Sequence, residues 1–472
     1  MRARLSQLIA GSVISLSLIA CQPMTKTASL QEVDKEAGIH SYMLDNGMKV
    51  LVHEDHRSPV VVSQVWYKVG GSYEYDGITG VSHAVEHMMF KGTKSLPPGR
   101  FSEIIAANGG RENAFTGKDY TAYFQTIASD RLELCLKLEA DRMRNLILDK
   151  SEFKKEIEVI KEERRMRTED NPTALTYERF NAVSFLNSPY GQPIIGWMQD
   201  LDSMTIDDLS RWYRTWYAPN NATLVVSGDV QPDQVYALAK KYFGVLEPSV
   251  IEGDKPRTEV AQKGERRINV KAPAKLPYLM MGFKVPSLMT VEEPWEAYAL
   301  EVLAGVLDGG NSSRFTQHLV RGDEIAAQAG AGYDLYARQE TLFLLDGMPN
   351  SNRNVSMAQL EKALLDEVEK IKREPPSAAE LERVKAQVMA SAVYEQDSTF
   401  YQAMQLGMLE TIGLGWQRKQ EYLDKIQAVT PQQVQQVAQK YLHTDQLTVA
   451  TLDPQPIDNK APRRAMGGRH GH

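Results

Sequence analysis

Cysteine is almost absent from this chain: Cys21 and Cys135 are the only two in 472 residues. That excludes a disulfide scaffold, which needs several pairs. Cys135 lies in Leu132-Glu-Leu-Cys-Leu-Lys-Leu138 and reads as a small buried hydrophobe. Excess positive charge is also missing. The 54 Lys and Arg are outnumbered by 61 Asp and Glu, giving a net charge of −7. Nucleic acid is therefore an unsuitable partner, as is any broadly basic membrane-binding surface. The most apolar run, Leu8 to Ala20, is too short for a membrane span of about 20 residues. What remains is ordinary for a globular chain, 42% hydrophobic and 24% charged. The length allows several domains, each with its own core.

Arg2 and Arg4 ahead of that apolar run have the layout of a secretory signal over residues 1–20. Leu18-Ile-Ala-Cys21 resembles a bacterial lipobox, which implies cleavage before Cys21 and lipidation of its thiol. Residues 21–37 would then be a lipidated tether. Gln22, rather than Asp, points to the outer membrane, with the protein facing the periplasm. Membrane contact is expected through the lipid alone. Losing Arg2 and Arg4 would take the net charge from −7 to −9. With Cys21 lipidated, no intrachain disulfide can form.

The densest chemistry lies in His83-Ala-Val-Glu86-His87. On a helix, two histidines four apart project from one face, so both imidazoles can reach one metal ion. Zinc takes such ligands at about 2.0–2.1 Å. Glu86 lies between them on nearly the same face and can take a proton from the zinc water. The order H-x-x-E-H is the reverse of the commoner H-E-x-x-H.

Catalytic zinc usually has three protein ligands and one open position. The third is expected on the glutamate-rich helix starting at Ser151, with Ser151 as N-cap, and ending before Asn171-Pro172. Several glutamates compete there. Glu163 shares a face with Val159, Ile160 and Met166, which predicts that it points inward. Glu162 aligns with Glu158 and Lys155 on a solvated face. Glu156 is two turns from Glu163, about 10 Å along the axis. That is too far to share the ion but close enough to orient a ligand histidine.

These features resemble the pitrilysin/insulinase-type zinc peptidases, the M16 family, in the short two-lobe bacterial form related to mitochondrial processing peptidase subunits. The matching stretch runs from Gly71 through the motif to Thr93, then to Asn113-Ala-Phe-Thr116 and Tyr120-Thr-Ala-Tyr123. The resemblance implies one zinc ion per chain, held by His83, His87 and Glu163. It implies Glu86 as general base and Glu156 as the residue orienting a ligand. It also makes Asn113, Ala114 and Phe115 part of an edge strand that a peptide extends through main-chain hydrogen bonds.

The rest of the chain divides into two related lobes. Residues 38–247 form the zinc-binding lobe, 248–268 a polar connection, 269–453 a second lobe without the motif, and 454–472 a disordered tail. In the first lobe Asn46-Gly47 marks a hairpin, a strand runs from Val60 to Val69, and helices follow around 99–108, 129–147 and 151–168. In the second, Tyr278 to Val285 reads as a strand and Trp295 to Leu307 as a helix without histidine. Both lobes close with a helix opening at a threonine, Thr205 or Thr430, then a strand, which suggests internal duplication. The expected class is α+β, each lobe a mostly antiparallel sheet packed with helices.

One departure stands out. Active members of the family use an Arg and a Tyr seven apart in the lobe facing the zinc. Here Arg321 is present, but Gln328 stands where the Tyr is expected, and Tyr333 and Tyr336 are off register. The reading is a zinc endopeptidase for peptides or unfolded segments. A complete chamber needs a second chain, either a related subunit carrying the Arg/Tyr pair or a second copy of this one. The alternative is a non-catalytic or weakly catalytic assembly subunit on the same fold.

Overall fold

The computed structural model describes residues 32–34, 37–252, 255 and 257–457. The signal, Cys21 and most of the tether fall outside the described residues, as does most of the tail. The described chain forms two sheet-plus-helix lobes, an α+β architecture.

In chain order the first lobe comprises β1 (Glu32–Asp34), β2 (Ile39–Met43), β3 (Lys49–Glu54), β4 (Val60–Tyr67), α1 (Val81–Met88), α2 (Arg100–Ala107), β5 (Arg111–Thr116) and β6 (Thr121–Ala128). There follow α3 (Leu132–Asn145), α4 (Lys150–Arg164), α5 (Pro172–Ser184), α6 (Met198–Ser203), α7 (Ile206–Trp216), β7 (Ala222–Gly228) and α8 (Pro232–Tyr242). The second lobe comprises β8 (Arg266–Pro273), β9 (Tyr278–Val285), α9 (Pro294–Asp308), β10 (Ala326–Gly332), β11 (Thr341–Pro349), α10 (Met357–Arg373) and α11 (Ala378–Gln396). It ends with α12 (Thr399–Ile412), α13 (Arg418–Ala428), α14 (Pro431–Tyr441) and β12 (Leu447–Gln455).

The first sheet has the order β1-β2-β3-β7-β4-β6-β5 and the second β10-β11-β9-β12-β8. In each, one pair is parallel, β3 with β7 and β8 with β12, and the rest are antiparallel. Reading β3-β7-β4-β6-β5 against β8-β12-β9-β11-β10 matches five strands and every pairing direction among them, with β1 and β2 extending the first sheet. In chain order most helices match as well, α1 with α9, α3 with α10, and α4 through α7 with α11 through α14, while α2 and α8 have no α-helical counterpart among the described residues. Thr205 and Thr430 each close a reciprocal capping box at the start of the helix that precedes β7 or β12, Thr205 with Asp208 and Thr430 with Gln433.

β8 begins at Arg266, inside the segment expected to be connection, because it is zipped to β12 from Thr448 onward. β12 extends through Pro454 to Gln455, where the tail was expected to begin. The hairpin at Asn46-Gly47 forms, with Met43 opposite Lys49 and Gly47 at a φ of 87° that glycine adopts without strain.

One face of each sheet carries that lobe's own helices over a core such as Val50, Val65, Tyr123 and Leu224, or Met281, Phe283, Leu345 and Val449. The other face is covered by a helix from the opposite lobe. α12 packs on β4 and β7, burying Leu406 among Leu51, Val62, Trp66 and Val225. Reciprocally, α5 packs on β12, β8 and β9, burying Phe180 among Tyr278, Met280 and Leu452. Both contacts are close at a glycine. A Cβ on Gly407 of α12 would lie 2.1 Å from Trp66, and one on Gly282 of β9 would lie 2.6 Å from Phe180.

Polar locks reinforce the exchange. Glu259, in the connection, has a side chain 1% exposed and pairs with Lys284 of β9 at 2.8 Å. It also accepts from the backbone N–H groups of Leu186, Asn187 and Ser188 in the first lobe. These donors outweigh burial and hold its carboxyl down at about 2.

Candidate active site

α1 begins at Gly80, whose φ of 87° suits glycine, and a Cβ there would lie 2.6 Å from the Ile195 carbonyl. Gly80 has no side chain to cap the helix, and Glu74 takes that part. Its two oxygens accept from Gly80 N at 2.7 Å and Ser82 N at 2.8 Å. Burial pushes the Glu74 carboxyl up to about 8, against the pull of those N–H groups. The second lobe reaches this foundation too. The Arg338 guanidinium donates to Asp119 and Ser72 and lies 4.2 Å over the Tyr73 ring.

The helix so anchored presents His83, Glu86 and His87 along one side, and α4 crosses it with Glu156 and Glu163. His87 Nε2 is 3.2 Å from His83 Nε2 and 3.4 Å from Glu163 Oε2, and His83 Nε2 is 3.8 Å from Glu163 Oε2. Ligands of a tetrahedral ion with bonds of about 2.0–2.1 Å stand roughly 3.3 Å apart, so the triangle fits zinc. Two imidazoles and one carboxylate are also the donor set of a catalytic zinc site.

The surroundings support this use. Glu156 accepts from His87 Nδ1 at 2.9 Å and pairs with Lys91 at 2.6 Å, fixing the ring with Nε2 toward the triangle. Arg167 holds the other oxygen of Glu163 at 2.7 Å. Burial, then His87, push His83 down to about 4, leaving a neutral imidazole with a lone pair to offer. Burial works against charge on His87, but hydrogen bonds to Glu156 and Glu163 outweigh it and raise this group to about 9. The triangle is thus built to hold positive charge at its centre. Glu86 is raised by burial, and the Thr116 hydroxyl donates to it in opposition.

The helix carrying Glu163 differs from expectation in two respects. Its N-cap is Asp149, not Ser151, and the Asp149 carboxylate accepts from Ser151 N and Glu152 N. Its inward face is Phe153, Glu156, Ile157 and Ile160, whereas Val159 and Met166 are 48% and 64% exposed. Glu163 is brought in as the continuation of the 156–160 stripe, two residues before the chain widens into a π-helical turn at Arg165–Glu169. Glu162 lies on the outer side, paired with Arg165.

β5 is the outermost strand of its sheet, pairing with β6 alone among the described strands. Asn113, Ala114 and Phe115 lie on it. The Asn113 side chain accepts from Ala114 N at 2.8 Å, and Phe115 packs edge-on against Trp66. Thr116, at the end of β5, links this strand to Glu86. Arg321 sits apart from this cluster, exposed, donating to Asn311 at 3.2 Å. Gln328 is on β10, the corresponding edge of the other sheet. Tyr333 donates to the Pro286 carbonyl at 2.7 Å, and Tyr336 packs near Tyr422. The parts played by Glu74 and Thr116 have no spacing signature in the sequence, whereas Arg167 stands four residues after Glu163, the spacing of a helical ion pair. Glu74 and Thr116 reach the helix across a loop and a sheet edge.

Comparison with known proteins agrees with this architecture. Residues 49–196 match the family model described as Insulinase (Peptidase family M16), and 203–388 the one described as Peptidase M16 inactive domain. The zinc protease PqqE of Helicobacter pylori is 33% identical over 364 residues, covering 76% of this chain and 80% of that protein. YmxG of Bacillus subtilis, named an uncharacterized zinc protease, is 27% identical over 416 residues, covering 88% and 98%. The crystal structure of a protease from Helicobacter pylori matches with a TM-score of 0.82 at 30% identity, covering 88% of this chain and 99% of that one. A peptidase M16 inactive domain from Pseudomonas fluorescens shares the fold, with a TM-score of 0.79 at 17% identity over 89% and 100% of the two chains.

Proposed function

The chain belongs to the M16 peptidase family, and from that premise we propose that it is a zinc-dependent endopeptidase acting on peptides or unfolded protein segments. The observation that carries the reading is the triangle of His83, His87 and Glu163 with Glu86 on the same short helix. Zinc held there, one ion per chain, would act as a Lewis acid on the scissile carbonyl and acidify the attacking water. Glu86 takes the water's proton and passes it to the leaving amine. The Thr116 hydroxyl orients its carboxylate, and Glu156 orients His87. The open edge at Asn113, Ala114 and Phe115 favours extended chains, which pair along the strand as folded proteins cannot.

Gln328 bears on the partner. With Tyr333 and Tyr336 both engaged inside their own lobe, the missing phenol is better supplied by a related subunit carrying the Arg/Tyr pair, and Arg321, apart from this chain's own triangle, would serve substrate only across such an interface. A homodimer is the competing assembly. Gln328 also favours a second reading, a subunit with little activity of its own. For location we propose a lipid-anchored periplasmic protein, held at the outer membrane through Cys21. Among the described residues no helix is long and apolar enough to cross a membrane.

The test is metal removal and return. Chelation should abolish hydrolysis of a peptide mixture by the purified chain with whatever co-purifies, and one equivalent of zinc should restore it. A preparation with full zinc and its partner, yet no hydrolysis, would favour the assembly-subunit reading.

A further inference from the structure

The helix pair α9 and α11 occupies in the second lobe the place that α1 and α4 occupy in the first. It flanks a cavity of about 440 Å³, a size common for small-ligand sites. Its titratable lining is Glu301 from α9, Glu395 from α11, Tyr401 from α12, Lys419 and Tyr422 from α13, and Tyr336 from the loop before β11. The lining contains no histidine, so a zinc site of the first-lobe kind is not duplicated here. Close packing holds one end, where a Cβ on Gly305 would lie 2.7 Å from Val384.

Charge in this cavity is unbalanced. Lys419 is the one cation in the lining, against two carboxylates. Lys419 is engaged by Gln402, and Glu395 by Gln405 and Tyr401. Glu301 is bonded by the Tyr422 phenol, and no cation faces it among the described residues. Burial, then the nearby Asp334, push its carboxyl up to about 7. A partly buried carboxylate without a cation is costly, and bringing one in relieves that cost. Aromatic faces add to the attraction: Tyr336 and Tyr422 stand 6.3 Å apart, and tyrosine rings favour an ammonium near their faces.

We propose that this cavity binds a protonated amine on a flexible aliphatic stem, with the ammonium against Glu301 and the stem among Tyr336, Tyr401 and Tyr422. The chemistry is shared by a lysine side chain on a polypeptide and by a free diamine. Binding here does not depend on the metal site or on turnover, so it stands apart from the peptidase reading.

Calorimetric titration of the full chain tests it with three probes. These are cadaverine, a blocked Ala-Ala-Lys-Ala-Ala peptide, and the same peptide with the lysine Nε-acetylated, which keeps the stem and loses the charge. At least one amine should saturate a single site per chain, and the acetylated peptide should bind about tenfold more weakly than its parent, or not at all. Cadaverine alone binding identifies a diamine site; the peptide alone binding identifies a side-chain site. Glu301→Gln should weaken the amine by about tenfold or more. Lys419→Gln, which removes the cavity's own cation, should tighten it, a gain that misfolding cannot mimic. No saturable binding of either amine, equal binding of the acetylated peptide, or indifference to Glu301→Gln would overturn the proposal. So would weakening by Lys419→Gln.

Discussion

The two lobes share the order and pairing directions of five strands and most of their helix sequence, yet equivalent helix pairs carry different side chains. Between α1 and α4 stand His83, His87, Glu86 and Glu163. Between α9 and α11 stand Glu301, Gly305, Val384 and Gln387. α1 is a short helix of 8 residues, capped from outside by Glu74, while α9 has 15 and is buried over most of its length. The repeated architecture rests on apolar pattern and capping, which tolerate many sequences. The chemistry rests on four side chains and the groups that orient them. Duplicating the frame therefore does not duplicate the site.

The sharpest way to break this asymmetry is to disable the first lobe at one atom. Glu86→Gln should retain zinc, measured by metal analysis, while peptide hydrolysis falls by about a hundredfold or more. Near-normal turnover with zinc bound would remove Glu86 as the base. Metal affinity gives the next largest effect. In a chelator competition Glu163→Gln should lose more zinc affinity than Glu156→Gln, whose loss should be about 10–100-fold, and Glu162→Gln should be nearly silent. A His83→Ala/His87→Ala double variant should bind no stoichiometric zinc, because among the described residues the second lobe supplies no equivalent ligands. Residual tight zinc in that variant would contradict the division of labour.

Two smaller effects probe what joins the lobes. Glu259→Gln should destabilise the fold near neutral pH, because its carboxyl is held at about 2 when folded against an ordinary value of 4.5. A depressed carboxyl stabilises the fold above its unfolded pKa and loses that contribution as pH falls toward its folded one. The gap between wild type and variant in denaturant unfolding should therefore close from about 4.5 down to about 2. A gap that persists at the acid end would point to packing rather than the ion pair. Gly407→Ala and Gly282→Ala should each cost about 1–3 kcal/mol through overpacking. Matching losses would show that the two exchanged helices contribute alike, and a silent Gly407→Ala would show α12 to be the looser clamp.

Much of this was legible in the sequence, for physical reasons. The strand at Tyr278–Val285 and the capping threonines Thr205 and Thr430 are local signals, and they appear at the same residues in the structure. The H-x-x-E-H spacing sets its own geometry, because three residues on one helix need no partner to align. Glu163 was harder. The face shared with Val159 and Met166 turned out to be exposed, and the inward stripe runs instead through Phe153, Glu156 and Ile160. A charged helix offers little apolar contrast, so its facing depends on what packs against it. Glu74 and Thr116 reach α1 only once a loop and a sheet edge have been placed. The exchange of α5 and α12 is invisible in periodicity, since an amphipathic helix does not record whose sheet it covers.

That exchange sets how the polypeptide can be divided. The natural place to sever it, by sequence, is the polar connection around residues 248–268, which separates the two repeats. A fragment ending there would carry α5 with no sheet beneath it and expose the Trp66 face of its own sheet. The complementary fragment would be left with α12 unseated and the Met280 face bare. Each piece would be insoluble or aggregation-prone alone and competent only when expressed with the other. A genetic split at this point should thus behave as an obligate two-fragment reporter, in which recovery of either half depends on the presence of its mate.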